Sequence, residues 1–115
     1  MRALLVLCTC PTREVAETLA RLLVEERLAA CVNLLPQVQS VYRWQGRIET
    51  DDEVLLLIKT QPARLQALQQ RVLENHPYEL PEIIAVEIGS GLPRYLDWID
   101  EQTRPGPPDN PTMTP

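Results

Sequence analysis

The feature that most constrains the fold is a pair of long strand-forming segments separated by two turn residues. Residues 30–44 (ACVNLLPQVQSVYRW) and residues 47–59 (RIETDDEVLLLIK) flank a Gln-Gly pair at positions 45–46. Because Gly tolerates the positive φ of tight hairpin turns, this arrangement predicts a β-hairpin. Pro36 cannot donate a hydrogen bond within a sheet, so we expect it at a bulge or an edge. The hairpin should be long and bent, and its outer half, residues 40–53, should project beyond the main core.

Strand and helix patterns alternate along the rest of the chain. The predicted elements are, in order, a strand at 3–9, a helix from a Thr12 cap to about Arg27, the hairpin, a helix from Pro62 to His76, a strand at 82–88 and a helix at 92–102. The second helix should bury an apolar face made of Leu65, Leu68, Val72 and Leu73.

This order of elements, β-α-β-β-α-β followed by an extra C-terminal helix, predicts an α+β, ferredoxin-like domain. Right-handed crossovers then place both internal helices on one face of a four-stranded antiparallel sheet. The other face of the sheet and the outer half of the hairpin are left without cover. We therefore expect the chain to self-associate.

The length and net charge of the chain limit the number of domains and the kinds of partner that we expect. The 115 residues suit one domain, which we place at 1–103, and the proline-rich segment 104–115 should be a disordered tail. No apolar run reaches the roughly 18 residues of a membrane span, and the N-terminal run is too short for a signal peptide. The net charge of -5 provides no basic surface for phosphate groups. We expect a cytoplasmic protein whose partners include neither nucleic acid nor a membrane.

Three cysteines and a single histidine are the residues that could bind a soft metal. Cys8 and Cys10 lie two residues apart on a predicted strand and so face the same way, whereas Cys31 lies elsewhere. Their number and spacing do not fit a disulfide framework. His76 ends the second helix, because the following Pro77 disfavours a further turn. These residues can also be explained by structure alone. The cysteines can be small buried hydrophobic side chains, and His76 can simply be the end of a helix.

Four segments together resemble the CutA family, the divalent-cation tolerance proteins. They are LVEERLAACVNLLP at 23–36, SVYRWQGRIETDDEVLLLIKT at 40–60, HPYELPEIIAVEI at 76–88 and YLDWI at 95–99. The resemblance covers residues 3 to about 103. It implies a ferredoxin-like fold assembled as a homotrimer, in which the long hairpins pair strands between subunits.

The same resemblance implies a metal site. Family members that resemble metal binders use a cysteine at the end of the first strand and consecutive histidines before a Pro-Tyr pair. Here these positions hold Cys8 and His76, but Asn75 replaces the first histidine, so the site needs Cys10 or a carboxylate to gain a third ligand. Copper or another divalent metal ion would suit these ligands, with copper preferred over zinc and nickel. No metal should be required for folding.

Three classes of function follow from these observations. The first is a trimeric CutA-like protein that responds to, or confers tolerance of, divalent metal ions and binds copper. The alternative is a signalling or scaffold trimer with the architecture of PII regulators, which would bind a small ligand or a protein partner in its inter-subunit clefts. A thiol enzyme is not expected, because the sequence offers no recognisable oxyanion hole. Tyr42 and Trp44 are interpreted as subunit-interface aromatics.

Overall fold

A four-stranded antiparallel sheet with two helices on one face forms the body of the molecule. The computed structural model describes residues 2–105. The elements are β1 (Ala3–Cys10), α1 (Arg13–Glu25), β2 (Cys31–Trp44), β3 (Arg47–Thr60), α2 (Leu65–Asn75), β4 (Ile84–Ile88) and α3 (Pro93–Gln102), with a short 3-10 turn at Pro62–Arg64. The predicted α+β, ferredoxin-like order is confirmed.

The strands lie in the order β2-β3-β1-β4, so β1 is central and β2 and β4 are the two edges. All neighbouring pairs are antiparallel. Cys8 lies opposite Leu56 of β3, and Leu7 lies opposite Ile84 of β4. Since side chains alternate along a strand, the even-numbered residues of β1 face the helices and the odd-numbered residues face away.

The core lies between the sheet and the two internal helices. Its fully buried large side chains include Val6, Leu19, Leu23, Leu56, Ile58, Leu68 and Val72. Burying each of these aliphatic side chains contributes roughly 1.5–3 kcal/mol to folding. The helices are thus held to the sheet by one continuous apolar layer, as the strand and helix periodicities predict.

The first helix begins where the sequence predicts and ends earlier. The Thr12 hydroxyl accepts a hydrogen bond from the Val15 N–H at 3.2 Å, which confirms the N-cap. The prediction that the helix reaches Arg27 is wrong, because α1 ends at Glu25. Arg27 has φ 59°, a left-handed conformation that a right-handed helix cannot contain.

Three further predictions need correction. Pro62 begins a 3-10 turn, and the α-helix itself starts at Leu65. Leu73 lies on the solvent side of α2 and is 51% exposed, whereas Leu68 and Val72 are buried as predicted. The last strand begins at Ile84 instead of residue 82, since pairing with β1 extends only to the Leu7–Ile84 pair.

The hairpin has the predicted turn and bend. Gln45 and Gly46 have φ 51° and 80°, the two positive values of a type I′ turn. The register between β2 and β3 shifts between Leu35 and Val38, which places Pro36 in a bulge. Residues 47–53 of β3 pair only with β2, so the outer hairpin projects, and the described chain measures 55 × 32 × 22 Å.

The sheet face opposite α1 and α2 is largely uncovered. Helix α3 covers one end of it, where Ile99 packs on Ala3 and Ala30. The remaining aliphatic side chains, which we call the open face, are Leu5, Leu7, Leu35, Leu55, Leu57, Ile84 and Val86. Several of them are about half exposed in the single chain.

None of the helices within residues 2–105 has the length and apolar character needed to cross a bilayer. The predicted tail, residues 104–115, lies outside the described residues except for Arg104 and Pro105.

Candidate metal centre

Cys8, Cys10 and His76 come together at one end of the core. The two sulfur atoms and a ring nitrogen of the histidine all lie within 4.8 Å of one another. Both cysteines are fully buried, and His76 is 8% exposed. Two thiols and an imidazole thus form a compact set of potential ligands that is largely closed to solvent.

Two local features of the chain create this cluster. Cys8 and Cys10 are alternate residues near the end of β1, and therefore present their side chains on the helix-facing side of the sheet. His76 terminates α2 with an extended backbone, φ -94° and ψ 138°, as expected for a residue that precedes a proline. The antiparallel layout brings the end of α2 beside the end of β1.

Hydrogen bonds to the main chain fix the imidazole in place. Its Nδ1 accepts a hydrogen bond from the Tyr78 N–H at 3.0 Å. A neutral ring that accepts at Nδ1 carries its proton on Nε2, which lies 2.8 Å from the Thr9 carbonyl oxygen and donates to it. Both ring nitrogens are therefore engaged, and the histidine joins the end of α2 to β1.

The two thiols influence each other's ionisation. Their mutual hydrogen bond raises the pKa of the Cys8 thiol, and burial and the negative charges of Glu82 and Glu53 raise it further. The same hydrogen bond lowers the pKa of Cys10, against the opposing effect of burial. Of the two thiols, Cys10 is therefore the one that ionises more readily.

An aromatic and acidic pair adjoins the cluster. The Tyr78 ring lies against the His76 ring, with centroids 4.7 Å apart. The Tyr78 hydroxyl donates a hydrogen bond to Glu53 Oε2 at 2.8 Å, and Glu53 is buried. This pair connects the loop after α2 to the outer part of β3.

The structure places the predicted ligands Cys8 and His76 in one cluster and adds Cys10 to them. Asn75, by contrast, is exposed, and its side-chain amide donates to the Arg71 carbonyl at 2.8 Å. Cys31 lies apart, with its sulfur 3.9 Å from Lys59 Nζ. The alternate spacing of the first two cysteines is the sequence signal that points to Cys10 as a third member.

Comparison with known proteins extends the likeness over almost the whole chain. The family model described as CutA1 divalent ion tolerance protein matches residues 4–102. The "Divalent-cation tolerance protein CutA" of Thermus thermophilus is 53% identical over 98 residues, which cover 85% of this chain and 95% of that protein. The mouse "Protein CutA" is 52% identical over 95 residues, 83% of this chain, and the chain spans about half (54%) of the mouse protein's length.

A solved structure gives the same result for the fold. The "Divalent cation tolerance protein (Cut A1)" of Thermus thermophilus superposes with a TM-score of 0.87 and 51% sequence identity, covering 88% of this chain and 98% of that chain. A family match over residues 4–102 and a shared fold at this level of identity lead to one conclusion. The chain belongs to the CutA1 divalent ion tolerance family.

Proposed function

We propose that this CutA1-family protein acts in the response to, or tolerance of, divalent metal ions by binding copper at Cys8, Cys10 and His76. The observation that carries the proposal is the placement of three potential ligand atoms within 4.8 Å of one another. Metal–sulfur and metal–nitrogen bonds are about 2.0–2.3 Å long, so small side-chain shifts would bring all three atoms onto one ion.

The chemistry of the donors fits copper. Thiolate sulfur is a soft ligand that selects Cu(I), and imidazole also suits copper and zinc. The hard cations Mg²⁺ and Ca²⁺ prefer oxygen ligands, which this cluster lacks among the described residues. Cys10, whose pKa is lowered by the neighbouring thiol, is the ligand best prepared to supply a thiolate.

Binding would require local rearrangement at His76. Both of its ring nitrogens are hydrogen-bonded to the main chain, so one of those bonds must be exchanged for a bond to the metal. The cluster is also buried, and the ion must displace the thiol protons. These costs favour a site of moderate affinity, suited to reversible binding.

We further propose that the protein acts as a homotrimer. The open face presents aliphatic side chains that no helix covers, and such a surface favours burial against other copies of the chain. The projecting outer hairpin provides a second, unpaired strand edge. The trimeric state itself is the expectation that the family resemblance provides.

Three expectations from the sequence stay predictions. They are the alternative role as a PII-like signalling or scaffold trimer, the absence of enzymatic activity and the cytoplasmic location.

A Cu(I) titration under reducing conditions tests the metal site. The full chain should bind copper in competition with a chromogenic chelator, and Cys8→Ser, Cys10→Ser and His76→Ala should each weaken binding. Cys31→Ser is the matched control, because Cys31 is a free cysteine outside the cluster. Equal copper affinity in the parent and all four variants would refute the site.

A further inference from the structure

The loop that follows α2 connects the cysteine cluster to the base of the outer hairpin through Tyr78. At one end, the Tyr78 N–H donates to His76 Nδ1 at 3.0 Å, and the two rings lie with their centroids 4.7 Å apart. At the other end, the Tyr78 hydroxyl donates to Glu53 Oε2 at 2.8 Å. One residue therefore contacts both a proposed metal ligand and the hairpin.

Metal binding at the cluster requires the His76 ring to move. The ligand atoms lie within 4.8 Å of one another, whereas a shared ion holds each of them at about 2.0–2.3 Å. An imidazole that binds through Nε2 gives up the Thr9 carbonyl and carries Tyr78 with it, because the bond at Nδ1 persists. An imidazole that binds through Nδ1 gives up the Tyr78 N–H instead. In both cases Tyr78 leaves its position.

The contact with Glu53 opposes this movement. Glu53 is 8% exposed, and a buried carboxylate is destabilised when its hydrogen-bond donor leaves. Residues 47–53 of β3 pair only with β2, so the bond from Tyr78 attaches the base of this projecting segment to the rest of the molecule. The same bond therefore stabilises the hairpin and holds the loop against the imidazole.

We propose that Tyr78 is a positioning residue that couples the metal affinity of the cluster to the order of the outer hairpin. The inference rests on the proposed metal site. When His76 shifts onto a metal ion, Tyr78 moves with the loop and its bond to Glu53 breaks. The coupling is reciprocal by linkage, so whatever holds the hairpin in place weakens metal binding, and metal binding loosens the hairpin.

This coupling gives the protein a means of responding to a metal ion. The cluster is buried in the core, and its occupation alone changes little of the surface. The outer hairpin, by contrast, is the projecting element that we expect to take part in assembly. Tyr78 would turn an event in the core into a change at that element.

Copper affinity tests the coupling through its sign. Tyr78→Phe keeps the ring and the main-chain N–H but removes the bond to Glu53, so metal binding no longer has to break it. Cu(I) binding should tighten by about tenfold, the equivalent of one net hydrogen bond. A purely structural role for Tyr78 would leave the affinity unchanged or weaken it, as the ligand variants do.

Tyr42→Phe is the matched control. It removes another hydroxyl–carboxylate bond within the hairpin, the one to Asp51, and Tyr42 has no contact with His76 among those that the structure gives for residues 2–105. Its copper affinity should equal that of the parent. An equal gain in both variants would overturn the proposal, because it would show an effect of lost hairpin stability in general.

Hydrogen exchange provides a second readout that needs no variant. In the parent, saturation with Cu(I) should speed amide exchange in residues 47–53. In Tyr78→Phe the exchange should already be fast without copper, and copper should add little. Unchanged protection in the copper-saturated parent would overturn the coupling even if Tyr78→Phe fails to fold.

Failure of the coupling differs from failure of the metal site. A parent protein that binds no Cu(I) removes the proposed function and this inference together. Copper binding that depends on Cys8 and His76 but does not tighten in Tyr78→Phe overturns the coupling alone and leaves the metal site standing.

Discussion

The Tyr78 hydroxyl donates a hydrogen bond to Glu53 across 2.8 Å, and this contact joins two parts of the chain that no strand pairing connects. Glu53 immediately precedes Val54, which is the first residue of β3 that pairs with β1. Tyr78 lies in the loop after α2 and packs on His76. The loop thus supports the base of the projecting hairpin at the point where β1 ends.

Removal of that hydroxyl should destabilise the fold. Tyr78→Phe leaves the buried Glu53 carboxylate without its donor, which should lower the free energy of unfolding by about 1–3 kcal/mol. Urea denaturation at fixed protein concentration measures the change. Tyr42→Phe is the control, since the Tyr42 hydroxyl bonds to an exposed carboxylate, Asp51, and its loss should cost less. Equal losses in the two variants would contradict this account of Glu53.

The hydrogen bond between the exposed side chains of Tyr42 and Asp51 predicts how the stability of the fold depends on pH. The Asp51 hydrogen bond raises the pKa of Tyr42 from 10.0 to about 12, so the folded state favours the neutral phenol. The resulting stability is present below pH 10 and is lost as the pH rises through 12. Asp51→Asn should lower the pKa of Tyr42, as measured by tyrosinate absorbance in a Tyr78→Phe, Tyr95→Phe background.

Asp52→Asn is the matched control for that titration. Asp51 and Asp52 are neighbours on β3, so their side chains lie on opposite faces of the hairpin. Of these two carboxylates, Asp51 is the one that accepts the hydrogen bond from the Tyr42 hydroxyl. An equal pKa shift in both variants would attribute the effect to net charge instead of to the hydrogen bond.

The order of the elements was predictable because each one has a strong local signal. The Gln-Gly turn, Pro36 and the Thr12 cap each place one backbone feature, and all three are confirmed. The errors lie at boundaries that tertiary contacts decide. The end of α1 depends on the left-handed conformation of Arg27, and the start of β4 depends on its register with β1.

The candidate site was predictable only in part for a similar reason. The family resemblance points to Cys8 and His76, and strand periodicity shows that Cys10 shares the face of Cys8. The hydrogen bonds that occupy both nitrogens of His76 come from Thr9 and Tyr78, which approach it only in the folded chain. No periodicity in the sequence could reveal them.

Assembly through the open face has a test with a closely matched control. Ile84 lies on that face and is 52% exposed in the single chain, while Leu73 lies on α2 and is 51% exposed. If the open face is buried in a trimer, Ile84→Glu places a charge in an apolar interface and should shift the protein toward monomers. Leu73→Glu introduces the same charge at equal exposure and should leave the assembly unchanged.

Sedimentation velocity at micromolar concentration separates these outcomes. A parent protein that sediments as a monomer would contradict the trimer directly. A trimer that persists in Ile84→Glu would move the interface away from the open face, toward the outer hairpin.

Copper binding should release protons from the thiols, and its affinity should therefore rise with pH. The hydrogen bond with Cys10, burial and nearby carboxylates all raise the pKa of Cys8, so this thiol carries its proton throughout the neutral range. Only the thiolate binds the metal, and the proton must leave as the bond forms. Calorimetric titrations in two buffers of different ionisation enthalpy measure the protons released. Cys8→Ser should release fewer protons per copper and show a flatter pH dependence than Cys31→Ser, whereas identical proton release in the two variants would exclude Cys8 from the site.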